Sequence, residues 1–171
     1  APPPAPTPPA PAPEEPEPVL ITMRAPEDDG YASGAPRVQV DPGGRVVLMA
    51  LVRNQSGIVD NYDLRVEGLD EGWWTITPQT VYLVPYGAGG GSYEQEVEIH
   101  LHPPRAPEAE ARLWQLSVVA TSRASEGDVA AAPAEVEIGP YQELASTVAP
   151  ERRKGRVEAR YDLTVTNKAN A

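Results

Sequence analysis

From Val19 onward, apolar and polar residues alternate in short runs. Ser92–His102 is the clearest. Tyr93, Gln95, Val97, Ile99 and Leu101 share one parity, while Glu94, Glu96, Glu98, His100 and His102 share the other. A period of two sends successive side chains to opposite faces, so this run predicts a strand with one face buried and one wet. Leu113–Thr121 repeats the pattern, with Trp114, Leu116, Val118 and Ala120 toward the core. Arg45–Arg53 carries Val46, Leu48, Ala50 and Val52 on one face and Val47, Met49 and Leu51 on the other. Further strand-like runs fall at Val19–Met23, Arg37–Val40, Asn61–Val66, Trp73–Thr77, Thr80–Val84 and Val129–Ile138. Asp41-Pro42-Gly43-Gly44 and the glycines at 87 and 89–91 supply turns between them. Pro107–Arg112 holds helix formers but is too short to stand alone as a helix. Eight or nine short strands at regular spacing predict an all-β sandwich or barrel. Trp73, after a glycine turn, is the expected core plug, and Trp74 must then face outward or lie under a loop.

Two stretches echo each other. Gly44-Arg45-Val46 leads to Val52-Arg53-Asn54, and Gly155-Arg156-Val157 leads to Val165-Thr166-Asn167. Each copy follows a proline, Pro42 or Pro150. The expected organisation is a linker over 1–18, one sandwich over 19–139, and a linker with the opening strand of a second, incomplete repeat over 140–171. Val52-Arg53-Asn54-Gln55-Ser56-Gly57, then Asp60-Asn61-Tyr62-Asp63-Leu64, then Gly68-Leu69-Asp70-Glu71-Gly72-Trp73 follow one another in order. His102-Pro103-Pro104 and Leu116–Ser122 come later. Over residues 37–138 this series resembles NEW3-type bacterial immunoglobulin-like domains, with Asp70 where that family often has proline. The resemblance implies an immunoglobulin-like β-sandwich of seven to nine strands. It also implies an accessory module, found in tandem or beside glycan-acting and surface domains, with no catalytic set to carry over. An extracytoplasmic or cell-surface setting is the compartment it favours.

Composition changes the picture at the two ends. The first 18 residues hold ten of the 21 prolines, and this segment cannot form helix or sheet. A disordered, polyproline-II tether is expected there, about 55 Å long at roughly 3.1 Å per residue. Net charge is -11, and residues 19–150 carry 19 acidic against 8 basic side chains. An acidic body repels phosphate backbones and anionic membranes, which argues against nucleic-acid partners. No cysteine is present, so disulfides and thiolate metal sites are ruled out. No apolar run approaches the roughly 20 residues of a membrane span, and no signal-peptide pattern is seen. A chain opening on Ala1 is expected to be a processed product or a fragment.

Candidate chemistry is sparse. His100 and His102 point the same way along one strand, but a third ligand is not signalled, and their face is shared with three glutamates. Asp60, Asp63 and Asp70 lie near turns, where aspartate bonds its own backbone more readily than it collects a calcium ion. No nucleophile elbow, phosphate loop or histidine-based triad is present, so neither an enzyme nor a cofactor or metal site is predicted. Trp74, Tyr82, Tyr86 and Tyr93 are the candidate contacts for a ligand or partner, since exposed rings stack on sugars or proteins. Arg152, Arg153, Lys154 and Arg156 form a basic run before the second repeat. The expected function is a non-catalytic spacer or protein-binding element, with other domains of the same protein or protein partners as contacts. The alternatives are a carbohydrate-binding accessory module and a component of a phage-tail-like assembly.

Overall fold

A computed structural model of the chain describes residues 17–31, 34–152 and 154–171. The tether expected over 1–18 falls almost wholly on residues 1–16, outside the described residues, as does Arg153 of the basic run. The elements are β1 (Val19–Arg24), β2 (Arg37–Val40), β3 (Val46–Asn54), β4 (Asp60–Glu67), a 3-10 turn (Glu71–Trp73), β5 (Trp74–Thr77), β6 (Thr80–Leu83), β7 (Glu94–Leu101), β8 (Leu113–Ser122), β9 (Gly127–Ile138), β10 (Leu144–Ala149) and β11 (Asp162–Asn167).

Nine strands form two facing sheets. One runs β1-β3-β7-β5 and the other β2-β9-β8-β4-β6. β1 pairs antiparallel with β3; the chain then crosses, and β2 pairs parallel with β9, Val38 against Val136. A first strand divided between two sheets, with its second half parallel to the last strand, makes this an immunoglobulin-like sandwich. The period-two pattern builds it. Leu48, Ala50 and Val52 of β3, and Val97, Ile99 and Leu101 of β7, are all buried. They meet Leu64 and Val66 of β4, Leu116, Val118 and Ala120 of β8, and Val136 and Ile138 of β9.

Trp73 is buried as expected, but it closes the 3-10 turn and does not open the strand. Its ring meets Trp114 edge-on, with centroids 5.4 Å apart. Gly68 makes the approach to this turn possible. Its φ is +92°, and a Cβ there would lie 2.4 Å from the carbonyl oxygen of Gln115. The Pro107–Arg112 stretch is irregular, with Ala109 fully buried.

Beyond the sandwich, β10 and β11 form a separate two-stranded antiparallel sheet. β11 lies within the predicted second repeat, whereas β10 had no strand prediction. Asn170 ties this pair to the sandwich. Its amide donates to the carbonyls of Ala109 (2.7 Å) and Gly139 (3.0 Å), and its side-chain oxygen accepts from Tyr141 N–H (2.7 Å). The Arg105 guanidinium covers the Tyr141 ring at 4.4 Å.

Candidate functional site

The four aromatic candidates do not form one group. β7 separates them. Trp74 pairs with Leu101 at one end of that strand, and Tyr93 directly precedes Glu94 at the other. Eight residues of strand put the two ends roughly 26 Å apart. Trp74 is half-buried against the core, its Nε1–H is buried without a hydrogen-bond partner, and its ring lines a shallow depression with Arg65, Glu71 and Gln79.

Tyr82, Tyr86 and Tyr93 gather at the opposite end of the sandwich. Tyr86 is 79% exposed and meets the Tyr93 ring edge-on, with centroids 4.9 Å apart and planes at 88°. Arg53 lies 5.9 Å from the centre of the Tyr93 ring. The glycine-rich loop folds back here: Val84 N–H bonds the carbonyl of Ser92, and a Cβ on Gly91 would meet Val84 at 2.8 Å and Tyr82 at 3.7 Å. Ile58 and Val59, both exposed, arrive from the neighbouring loop between β3 and β4.

Asn54 holds these two loops together. Its side chain is buried, and its amide donates to the carbonyls of Ile58 (2.8 Å) and Leu83 (3.3 Å). Its side-chain oxygen accepts from the Ser56 backbone N–H (2.8 Å) and hydroxyl (2.7 Å). Asp60 does the same for the adjoining loop. Its carboxylate accepts from Asn61 N–H (2.7 Å), Ala124 N–H (3.1 Å) and the Ser122 hydroxyl. Sequence reasoning placed Asn54 at a turn and gave it no buried bonding role, although a signal existed. It continues the parity of Leu48, Ala50 and Val52, which places a polar side chain on the core side of β3.

The charged residues form paired surface networks. Arg65 bridges Asp128 and Glu67, Arg123 bonds Asp63, and Arg37 bonds Glu137. The bonds from Arg65, and then from the Thr121 hydroxyl, pull the Asp128 carboxyl down to about 2. Bonds from Arg123 and Thr80 likewise lower Asp63, and those from Arg37 and Gln39 lower Glu137. On the outer face of the other sheet Arg53 pairs with Glu94 and Arg24 with Glu96. Tyr31 donates its hydroxyl to Glu96, and burial and then that bond push it up to about 12. His100 and His102 engage separate neighbours, Glu98 (3.1 Å) and Thr75 (3.3 Å). Asp63 and Asp60 are occupied as described, and Asp70 precedes the 3-10 turn. Among the described residues no group of three or more His, Cys, Asp or Glu side chains is placed to hold a metal ion. No helix among them is long and apolar enough to cross a membrane.

No family model matches the chain, and no curated protein matches it by sequence. Solved structures do match in fold. A FixG-related protein from Vibrio parahaemolyticus aligns at a TM-score of 0.50 and 12% identity, over 71% of this chain and 96% of that one. The SrpA adhesin of Streptococcus sanguinis aligns at 0.45 and 18%, over 74% of this chain and 59% of the adhesin. A human ASH/PapD-like domain aligns at 0.42 and 13%, over 75% of this chain and 91% of that domain. At these identities the likeness concerns the fold.

Proposed function

We propose that the chain is a non-catalytic structural and interaction module, a spacer or protein-binding element of a larger protein or assembly, of the NEW3-like kind its sequence resembles. The observation that carries this reading is the path of the polypeptide. The chain comes in at Val19, beside Asn54, and leaves at Ile138, beside Val40 and Gly139. These points lie at opposite ends of the sandwich, roughly 25–30 Å apart by the rise of β3. A module threaded end to end adds its full length to an array. The Asn170 clamp then sets the direction in which the chain continues. Ile58, Val59, Tyr82 and Tyr86 give the other end an apolar surface suited to a protein contact.

The absence of native cysteine makes the test direct. Spin labels on Gly57→Cys and Thr166→Cys, both exposed positions, report the distance across the sandwich and its joint. A single narrow distance distribution is expected; a broad one spanning tens of ångströms would defeat the spacer reading. The carbohydrate alternative draws on the exposure of Tyr82 and Tyr86, although the perpendicular Tyr86–Tyr93 pair gives no coplanar platform. Glycan-array binding that Tyr86→Ala abolishes would replace the protein-contact reading with that one.

A further inference from the structure

The β10–β11 pair reproduces the register of the β1–β3 pair rung for rung. Both are six-rung antiparallel ladders: Val19 to Arg24 against Asn54 to Met49, and Leu144 to Ala149 against Asn167 to Asp162. Each ladder is closed by the residue after its asparagine. Gln55 N–H bonds the carbonyl of Pro18 (2.9 Å), and Lys168 N–H bonds that of Glu143 (2.8 Å). Each asparagine makes the same local turn: Ser56 N–H to Asn54 Oδ1 (2.8 Å), and Ala169 N–H to Asn167 Oδ1 (3.0 Å). Superposed on these asparagines, Leu144 matches Val19, Val148 matches Met23, Leu163 matches Ala50 and Val165 matches Val52.

The environments are opposite. Val19, Met23, Ala50 and Val52 are buried, whereas Leu144 is 73%, Leu163 64%, Val165 57% and Val148 48% exposed. Directly paired residues share a sheet face, so these four side chains form one apolar surface. The edge of β3 away from β1 carries β7, while the corresponding edge of β11 carries no strand among the described residues. In the sandwich every strand from β4 to β9 follows β3 in the chain.

We infer that β10 and β11 are the first strand pair of a second sandwich, whose completing strands follow β11 in the polypeptide. One of those strands takes the free edge of β11 in the register that β7 takes on β3. The opposite sheet covers Leu163 and Val165. This stands apart from the spacer reading, because a rigid joint needs no second sandwich and a second sandwich needs no rigid joint.

Two measurements decide it. In the 171-residue chain, Leu163→Ser and Val165→Ser are expected to leave the melting of the sandwich within about 1 °C. They should also cut the fluorescence of a bound apolar dye by about half. A drop of several degrees would mean the surface is already covered by its own domain. A concentration-dependent dimer that these variants abolish would mean its occupant is a second copy. Either result overturns the inference. The second measurement fuses Gln55–Ile138 behind Asn167, joining the completing strands of the first sandwich at the equivalent asparagine. Amides of β10 and β11 should then exchange at least about 100-fold more slowly than in the 171-residue chain. A matched chimera adds Ser146→Ile and Leu163→Ala, copying Ile21 and Ala50. Unchanged exchange in a folded chimera, folding of the matched chimera alone, or folding of neither would overturn the equivalence.

Discussion

β1–β3 and β10–β11 have the same ladder length, the same closing bond and the same asparagine turn, yet one lies inside a core and the other is exposed. The comparison separates two contributions that are usually merged. Backbone pairing fixes register in both. Burial differs, because β3 has β7 on its far edge and a second sheet over its apolar face. An isolated two-stranded sheet is marginal in water, and hydrogen bonds exchanged with solvent add little net stability. The stability of the first pair therefore comes from what covers it.

The largest expected difference is at Val52 and Val165, which hold equivalent rungs. Val52→Ala should cost about 2 kcal/mol, the loss of a fully buried side chain. Val165→Ala should change stability by less than about 0.5 kcal/mol. Urea unfolding of both variants checks this; equal losses would break the comparison. The asparagines come next. Asn54→Ala removes a buried side chain that bonds two carbonyls and a neighbouring turn, so about 2 kcal/mol should be lost. Asn167→Ala removes an exposed turn bond, for which about 0.5 kcal/mol is the expected ceiling.

Strand parity was legible in the sequence because each sheet buries one face. Val97, Ile99 and Leu101 fall inside, as alternation requires, while Glu96 and Glu98 stay outside. Trp73 was placed in the core but given to a strand, since parity says nothing about the 3-10 turn, which the Trp73 N–H closes on the Asp70 carbonyl. β10 was missed for the same physical reason that makes it exposed. Leu144, Ser146 and Val148 alternate with Ala145 and Thr147, a contrast too weak to mark a face. The aromatic candidates were chosen by residue type, which carries no information on which strand end each reaches. Only the β7 register separates Trp74 from Tyr93. The loop staple was hidden because Asn54 reads as a turn residue until β3 is known to run through it.

A smaller effect tests the joint between the two regions. Asn170 is buried and makes three bonds to Ala109, Gly139 and Tyr141. Asn170→Ala should leave the sandwich within about 1 kcal/mol of its original stability. It should also broaden the spin-label distance between Gly57→Cys and Thr166→Cys. A distribution that stays narrow would show that other contacts, such as Arg105 against Tyr141, set the angle.

The smallest effect is electrostatic and belongs to the sandwich face. Asp128 titrates at about 2, below the ordinary carboxylate value of 3.8, because Arg65 and Thr121 bond its charged form. The unfolded chain therefore takes up this proton first as pH falls. The stabilisation is present above about pH 4 and fades as pH approaches 2. Asp128→Asn removes it at pH 6 and has little left to remove at pH 2. The gap in melting temperature between the two proteins should narrow steadily across that range. Asp128 is at the surface, so the gap should also shrink in high salt. A gap that is constant with pH would assign the effect of the substitution to the hydrogen bonds of Thr121 and Arg65 and not to charge.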